Sequence, residues 1–545
     1  MGPRSARRSE AAIKLPPGVA QNEFAAALDE WRAVVGREWV FTAREDVDLY
    51  RDAYSPFRGE SEEREASAAV APATVEEVRA IVRIANSRRI PLYTISTGRN
   101  LAYGGSAPAY SGSVVLDLKR MNRILEVSEA NACALVEPGV SYFDLYRYIR
   151  ENKLKLWIDC PDPGWGSPLG NALDHGAGYT SAPYRDHFAA QCGLEVVLAD
   201  GEVVRTGMGA LPAAQTWQQF KYGTGPIVDG IFSQSNFGVV TKMGFWLMPQ
   251  PEVALSVSLS VPRHDDLIPV CDALIGLLYE DIIKSQTQVV SPVIHDEDPT
   301  VELSGLLGRW DEGRVAALDA YAQRKGLPFW VCPFTFYGPE KIVRAQWEFA
   351  KERFAAIPGV KFNEDALLRF PLNDDQLDPG ALKPRMGIPS LRMFSSRRGP
   401  NGPPLDGHIG FSPVVPMRGA SIMEAINVTL KAIHDLGIAP VGGMPLFYHL
   451  RACMLIYSFP VGRDLAANQV VRNACEKMID LCARRGWGEY RMHPAYVDQG
   501  TSLYNFNDNA LRKLHEKLKD ALDPNGILSA GRYGIWPRHL RGART

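Results

Sequence analysis

The chain has no run of about 18 apolar residues, the length a helix needs to cross a bilayer, so no membrane contact is expected. It has no excess of one charge either. Its 62 acidic and 60 basic residues leave no long-range field to draw in nucleic acid or an anionic lipid surface. The eight cysteines, at 133, 160, 192, 271, 332, 453, 475 and 482, contain no CxxC pair and no ligand-like cluster. That argues against a zinc site or any other metal, and in a chain of this size it favours reduced thiols over a disulfide framework. The arginine-rich start MGPRSARRSEAAIK has no apolar segment behind it to act as a signal peptide, so a cytoplasmic location is expected. Low-complexity tracts and long linkers are missing too, and the glycine clusters fit neither a P-loop, which ends in Lys-Ser/Thr, nor the Rossmann spacing.

What is present has two textures. At 545 residues the chain exceeds one ordinary core, so two domains are expected. From Thr74, TVEEVRAIVRIANSRR reads as a helix, with Thr74 and Glu77 as a capping box and Val78, Ile81, Val82 and Ala85 on one face. The strand IPLYTIS follows, then the glycine-rich loop STGRNLAYGGSAP and the β run GSVVLDL. A second helix opens at Ser141 with Asp144 at its third position, and LEVVLADGEVVRTG reads as a hairpin with Asp200-Gly201 at the turn. After about Met248 the pattern becomes strand, long helix, strand, long helix. The strands are ALSVSLSV, FWVCPFTFYG, GHIGFSPVVP and RACMLIYSFP; the helices lie near 265–283, 339–356, 421–436 and 465–485. The third helix is marked by Ser421 with Glu424 and stops at Gly437. Such units suggest a sheet covered by helices. The last segment, a polar amphipathic helix followed by a glycine-punctuated loop, is placed to return to the first domain.

Four stretches carry chemistry. In STGRNLAYGGSAP, Gly98, Gly104 and Gly105 let backbone N–H groups crowd round an anion such as a pyrophosphate, although a glycine-rich turn alone has the same look. Asp159–Asn171, DCPDPGWGSPLGN, is a rigid irregular loop carrying Asp162, a residue type that is more often a turn former. GWGEYRMH follows a helix C-terminus and sets Tyr490 beside Arg491, two donors for an oxygen anion or the makings of an ordinary ion pair. In DGHIGFSP, His408 stands between glycines on an apolar strand, where a buried, hydrogen-bonded histidine is the plain alternative to a reactive one.

Together, in this order, they resemble the vanillyl-alcohol oxidase and 4-alkylphenol oxidase family of flavoproteins, and within it most of all the eugenol-oxidase branch. VLDLKRMNRILEV, EPGVSYFDLY, FSQSNFGVVTKMG and ALDPNGILSAGRYGIW add to the match, which runs from about Leu15 to Trp536. The resemblance implies an α+β, two-domain FAD-binding fold of the vanillyl-alcohol oxidase and p-cresol methylhydroxylase type. The expected FAD-binding domain is residues 1–252 with 496–545, and an α+β cap domain spans 253–495. Ser96, Thr97, Gly98, Arg99, Asn100, Gly104 and Gly105 are expected to hold the FAD pyrophosphate, with Pro161, Ser167, Gly170, Asn171, Gly238, Val239 and Arg532 along the rest of the cofactor. His408 aligns with the histidine that bonds covalently to the flavin in the oxidase branch, which raises the redox potential.

Tyr103, Tyr490 and Arg491 align with the family's phenolate-binding trio, and Asp162 with the carboxylate near the flavin. The implied activity is oxidation of para-substituted phenols by hydride transfer through a p-quinone methide. O2 is the acceptor and hydrogen peroxide a product. A homodimer is expected by analogy. Two departures, Ala177 where the branch has valine and the segment Pro440–Met444, with Val441 and Gly443 at the pocket, where it has bulkier residues, both remove volume and imply a pocket that admits syringyl as well as guaiacyl rings. The alternatives are a cytochrome-linked methylhydroxylase, which His408 opposes because that branch uses a tyrosine, a 2-hydroxy-acid or sugar-lactone enzyme, which would lack the trio, and a flavin-binding protein without catalysis, which would have no use for Asp162.

Overall fold

The computed structural model describes residues 14–182, 184–296, 299–371, 383–392, 407–438 and 442–542. The helix after Thr74 runs Val75–Arg88 and buries Val78, Ile81, Val82 and Ala85. Its cap differs by one residue from the box read in the sequence. Thr74 Oγ1 accepts from the Glu77 N–H, while the Glu77 carboxylate reaches past Thr74 to accept from the N–H of Ala73. Ser141 and Asp144 do form the reciprocal box, at the start of Tyr142–Glu151.

Two sheets build the N-terminal half. Val40–Phe41, Ala69–Val70, Val114–Asp117 and Leu92–Ile95 are neighbours in that order, the last three in parallel. Ile124–Ser128, Cys133–Val136, Val239–Trp246, Gln191–Val197 and Val203–Arg205 form an antiparallel sheet, closed by the Asp200-Gly201 turn. The tail of the chain lies on this half. Leu92 N–H donates to Ile527 C=O at 2.7 Å, Ser529 N–H donates to Leu92 C=O at 2.8 Å, and Ile527 and Leu528 are buried with Leu92 and Leu116.

From Val253 the chain builds a second unit of antiparallel sheets. Trp330–Gly338, Val253–Val261 and Lys361–Arg369 form one; Thr287–Gln288, Gly442–Phe447, Ala452–Val461 and Gly407–Phe411 form the other, and Val414–Pro416 also pairs with Ala452–Val461. Leu267–Tyr279, Glu340–Phe354, Gly419–Asp435 and Leu465–Arg484 are the four long helices. They share one apolar core with the strands, in which Trp330, Trp347 and Phe334 are almost fully buried. Each such side chain is worth on the order of 2–3 kcal/mol of burial. All eight cysteines are buried free thiols. Among the described residues no helix is long and apolar enough to cross a membrane.

Three details depart from the sequence reading. The third helix begins at Gly419 rather than Ser421, because Asp272 of the neighbouring helix accepts from the Gly419 N–H at 2.7 Å and caps it from outside. GHIGFSPVVP is two strands, broken at Ser412-Pro413, where Pro413 bridges to Glu489. KFNEDALLR is a strand the pattern hides, since an edge strand with one exposed face tolerates the consecutive polar residues Asn363, Glu364 and Asp365.

Candidate active site

A cleft runs between the glycine-rich loop and the tail. One wall is the backbone of Ser96, Thr97, Gly98, Arg99 and Asn100 with Gly105; the other is Ser167, Gly170 and Asn171; Gly238 lies along it and Arg532 reaches in from the tail. Ser167 caps the short helix Pro168–Leu173 by accepting from the Gly170 N–H at 3.4 Å. Gly98 has φ 67°, and a Cβ there would run into Ser106 Oγ, so only glycine lets the loop fold back on itself. A cleft lined by a glycine-rich loop and by Arg532 fits a dinucleotide such as FAD. Gly104, Pro161 and Val239 do not line it. A Cβ on Gly104 would meet Pro494 Cγ at 2.5 Å, so its small size serves the packing of the loop on the Tyr490 segment. Val239 points into the apolar core, and strand alternation gives its neighbour Val240 to the cleft instead. Pro161 is half-buried in the loop before Asp162.

Tyr103 lines this cleft, and the structure brings to it Tyr490 and Arg491, which line an adjoining cavity that shares Gln234, Ser235, Met492 and Tyr533 with the cleft. The Arg491 guanidinium carbon lies 4.2 Å from the Tyr103 ring centroid and 5.3 Å from that of Tyr490. The strand of His408 fixes this arrangement. Beyond its break, Ser412 C=O accepts from the Tyr490 N–H at 2.9 Å, Val414 N–H donates to Gly488 C=O at 2.8 Å, and Ser412 N–H donates to Glu489 Oε1 at 2.8 Å. Gly410 N–H donates to Ala102 C=O, and a Cβ at Gly410 would lie 2.6 Å from the Tyr103 hydroxyl. Here is the reason for a glycine beside the histidine: His408 and Gly410 share one strand face, and that face meets Tyr103. His408 is buried, its ring 5.3 Å from that of Tyr54.

Burial raises the pKa of both tyrosine hydroxyls above their ordinary value. For Arg491 burial pulls the other way, but Tyr103, Tyr490 and Asp174 outweigh it and hold the guanidinium firmly charged. The sequence reading missed Asp174. Its carboxylate sits 3.6 Å from both Arg491 and Arg532, accepts from Asn100 Nδ2 at 2.6 Å and accepts from the Tyr533 hydroxyl. It thus ties the tyrosine end of the site to the cleft, and its partners lie up to 359 residues away in the chain, which no local pattern records.

Asp162 lies on the loop that faces the cap. Gly164 N–H donates to Ser390 C=O at 2.8 Å, and the loop is pinned from behind by Asp159, whose carboxylate lies 2.8 Å from His187 Nε2 and accepts from the Thr180 N–H at 2.7 Å. His187 Nδ1 in turn lies 3.0 Å from the Tyr142 hydroxyl. Ala177 is half-buried and bridges to Asp186. A Cβ on Gly443 would lie 2.9 Å from the Tyr457 ring, so the volume that this glycine spares is taken by that ring. Val441 lies outside the described residues.

The FAD binding domain family matches residues 66–207, which carry the glycine-rich loop, the Asp162 loop and Asn171. A 4-cresol dehydrogenase (hydroxylating) flavoprotein subunit of Pseudomonas putida is 33% identical over 531 residues, covering 96% of this chain and 97% of that protein. The fold matches 4-ethylphenol oxidase from Gulosibacter chungangensis in its isoeugenol complex with a TM-score of 0.83 and 34% identity, over 97% of this chain and 100% of that one. It matches p-cresol methylhydroxylase with substrate bound with a TM-score of 0.84 and 31% identity, over 96% and 99%.

Proposed function

Since the chain belongs to the flavoprotein family of 4-cresol dehydrogenase and 4-ethylphenol oxidase, we propose that it is an FAD-dependent oxidase of para-substituted phenols. The observation that carries this is the convergence of Tyr490 and Arg491 on Tyr103, where the cofactor cleft meets the adjoining cavity. A phenol has a pKa of about 10, and lowering it by about three units takes roughly 4 kcal/mol of differential stabilisation of the anion. A buried guanidinium and two hydroxyl donors are a fitting source. Arg491 supplies the charge, Tyr103 donates to the phenolate oxygen, Tyr490 turns to it the hydroxyl that otherwise donates to the His175 C=O, and Asp174 keeps Arg491 in place behind them.

Bound FAD supplies the hydride acceptor for the carbon attached to the ring, and through it the two electrons that reduce O2 to hydrogen peroxide. A phenolate that loses this hydride becomes a p-quinone methide. Asp162 then takes a proton, either from a water adding at that carbon to give an alcohol or from the adjacent carbon to give an alkene. His408 is the point at which the FAD is covalently attached, and its strand holds the cofactor and the phenolate donors in one frame. The substrates are 4-alkyl-, 4-allyl- and 4-hydroxymethyl-phenols, and Ala177 leaves room for ring methoxy groups. The working form is a homodimer.

Oxidase and cytochrome-linked dehydrogenase both occur among the relatives. A histidine rather than a tyrosine at 408 is what favours the oxidase. An oxygen electrode with a peroxide assay on 4-ethylphenol decides it: O2 uptake matched by peroxide is expected. Reduction of an artificial dye without O2 uptake would make the protein a dehydrogenase. Acid precipitation should leave the yellow colour in the pellet for the parent protein and release it from His408→Ala.

A further inference from the structure

A second guanidinium is buried in the cap, among a different set of tyrosines. Arg385 stands on the short turn Lys383–Met386, anchored by Tyr337, whose hydroxyl donates to the Arg385 C=O at 2.8 Å. Met386 and Ile388 hold the turn against Trp157 in a small apolar cluster. The residue is only 9% exposed. Its Nε and Nη2 have no hydrogen-bond partner among the described residues. Those two nitrogens form one edge of the guanidinium plane, the edge that takes a carboxylate in a bidentate fork.

The groups that bear on its charge are the hydroxyls of Tyr337, Tyr179 and Tyr448 and the thiol of Cys332. Asp365 also feels Arg385, but its Oδ1 accepts from Ser258 Oγ at 3.0 Å and not from the guanidinium. Tyr448 hydrogen-bonds Tyr179 and bears in turn on Tyr490 and Tyr103. The turn of Arg385 continues into Ser390, whose C=O accepts from Gly164 of the Asp162 loop. Arg385 therefore neighbours Tyr448, which in turn neighbours the phenolate donors, and its turn leads to the loop of Asp162. A charged group taken out of water with one edge unmet requires an anionic partner.

We propose that Arg385 binds a carboxylate on the para substituent of the substrate, so that the site takes 4-hydroxyphenyl compounds with a short acidic side chain in preference to neutral ones. This rests on the reading of Tyr103, Tyr490 and Arg491 as the phenolate site, which fixes the direction in which the para substituent points.

The test uses purified holoenzyme and three probes: 3-(4-hydroxyphenyl)propionate, its methyl ester and 4-propylphenol. The parent enzyme should show kcat/KM for the acid at least about 10-fold above the ester. Arg385→Gln should lose on the order of 100-fold on the acid while staying within about 3-fold on 4-propylphenol, and Arg385→Lys should fall between. An acid no better than its ester overturns the proposal, and that comparison needs no variant to fold. An equal loss on acid and 4-propylphenol in Arg385→Gln overturns it as well, assigning Arg385 to the architecture of the cap. Calorimetric titration of the dithionite-reduced holoenzyme with the acid, under anaerobic conditions, reads the same contrast without turnover. An enzyme that binds the acid through Arg385 yet oxidises no phenol would therefore sink the oxidase reading and leave the carboxylate site standing.

Discussion

Arg385 is buried and the Arg491 side chain is only 16% exposed, yet their surroundings are opposite. Arg491 lies over two tyrosine rings with Asp174 at 3.6 Å, and these anionic and aromatic partners outweigh desolvation. Arg385 has tyrosine hydroxyls and a thiol about it, and desolvation wins, pulling its pKa below the ordinary value. An arginine does not give up its proton within any working pH. The difference therefore teaches which guanidinium the fold sets beside a carboxylate and which it leaves without one, since the Nε of each has no hydrogen-bond partner among the described residues. Arg491 can stabilise an incoming phenolate because its own position is fixed by a carboxylate behind it. Arg385 has no such backing among the described residues.

The largest effect should come from the arginine that has a carboxylate behind it. Arg491→Met is expected to lower kcat/KM for 4-ethylphenol by roughly 1,000-fold, the equivalent of three pKa units of lost anion stabilisation. The residual activity should climb toward pH 10, where the phenol ionises unaided. Arg491→Lys should recover only part, because an ammonium offers a point charge rather than a plane that stacks on both tyrosines. If steady-state profiles showed Arg491→Met no worse than Arg385→Gln on the neutral phenol, the division of labour between the two arginines would be wrong.

A smaller effect tests the frame that holds Arg491's tyrosine. Gly410→Ala would put a methyl 2.6 Å from the Tyr103 hydroxyl, and Tyr103 must give way. A loss of about 10-fold in kcat/KM is expected, with flavin content unchanged, since a displacement of about 1 Å in a catalytic donor costs 10- to 100-fold. Loss of flavin instead of activity would show that Gly410 serves the His408 side of the strand.

The parts of this site that the sequence makes legible share one property: each is a contiguous stretch whose composition is odd for its element. Gly98 in a loop after a strand, His408 between two glycines and Tyr490 beside Arg491 are all of that kind. Asp174, Arg385 and Glu489 are not. An aspartate after a helix, an arginine in a proline-flanked turn and a glutamate in a loop are ordinary neighbours of ordinary residues, and their meaning comes from partners brought together by the tertiary fold. Fine placement is also lost where one residue decides a face. Val239 and Val240 differ by a single step, and the alternation of the strand sends one into the core and the other to the cleft. Gly104 belongs to the right loop, but only the approach of Pro494 tells what its missing side chain accommodates.

Glu489 sharpens the comparison from the acidic side. It is buried next to Tyr490, with one oxygen accepting from the Ser412 N–H and the other without a partner among the described residues. Burial pushes its pKa up to about 8, and the Ser412 hydrogen bond offsets only part of this. Where Arg385 must stay charged and wait for a counter-ion, a glutamate relieves the same strain by taking up a proton. The folded chain then binds more protons than the unfolded one between the ordinary 4.5 and about 8. The contribution to stability is fully present below pH 4.5 and is lost as pH rises through 8. Glu489→Gln keeps an oxygen for Ser412 and removes the titration. Its melting temperature should match the parent near pH 5 and exceed it by about 2–5 °C near pH 9. Melting curves that run parallel from pH 5 to 9 would mean that Glu489 is ionised and paired, and that burial alone does not sort the charged groups of this site.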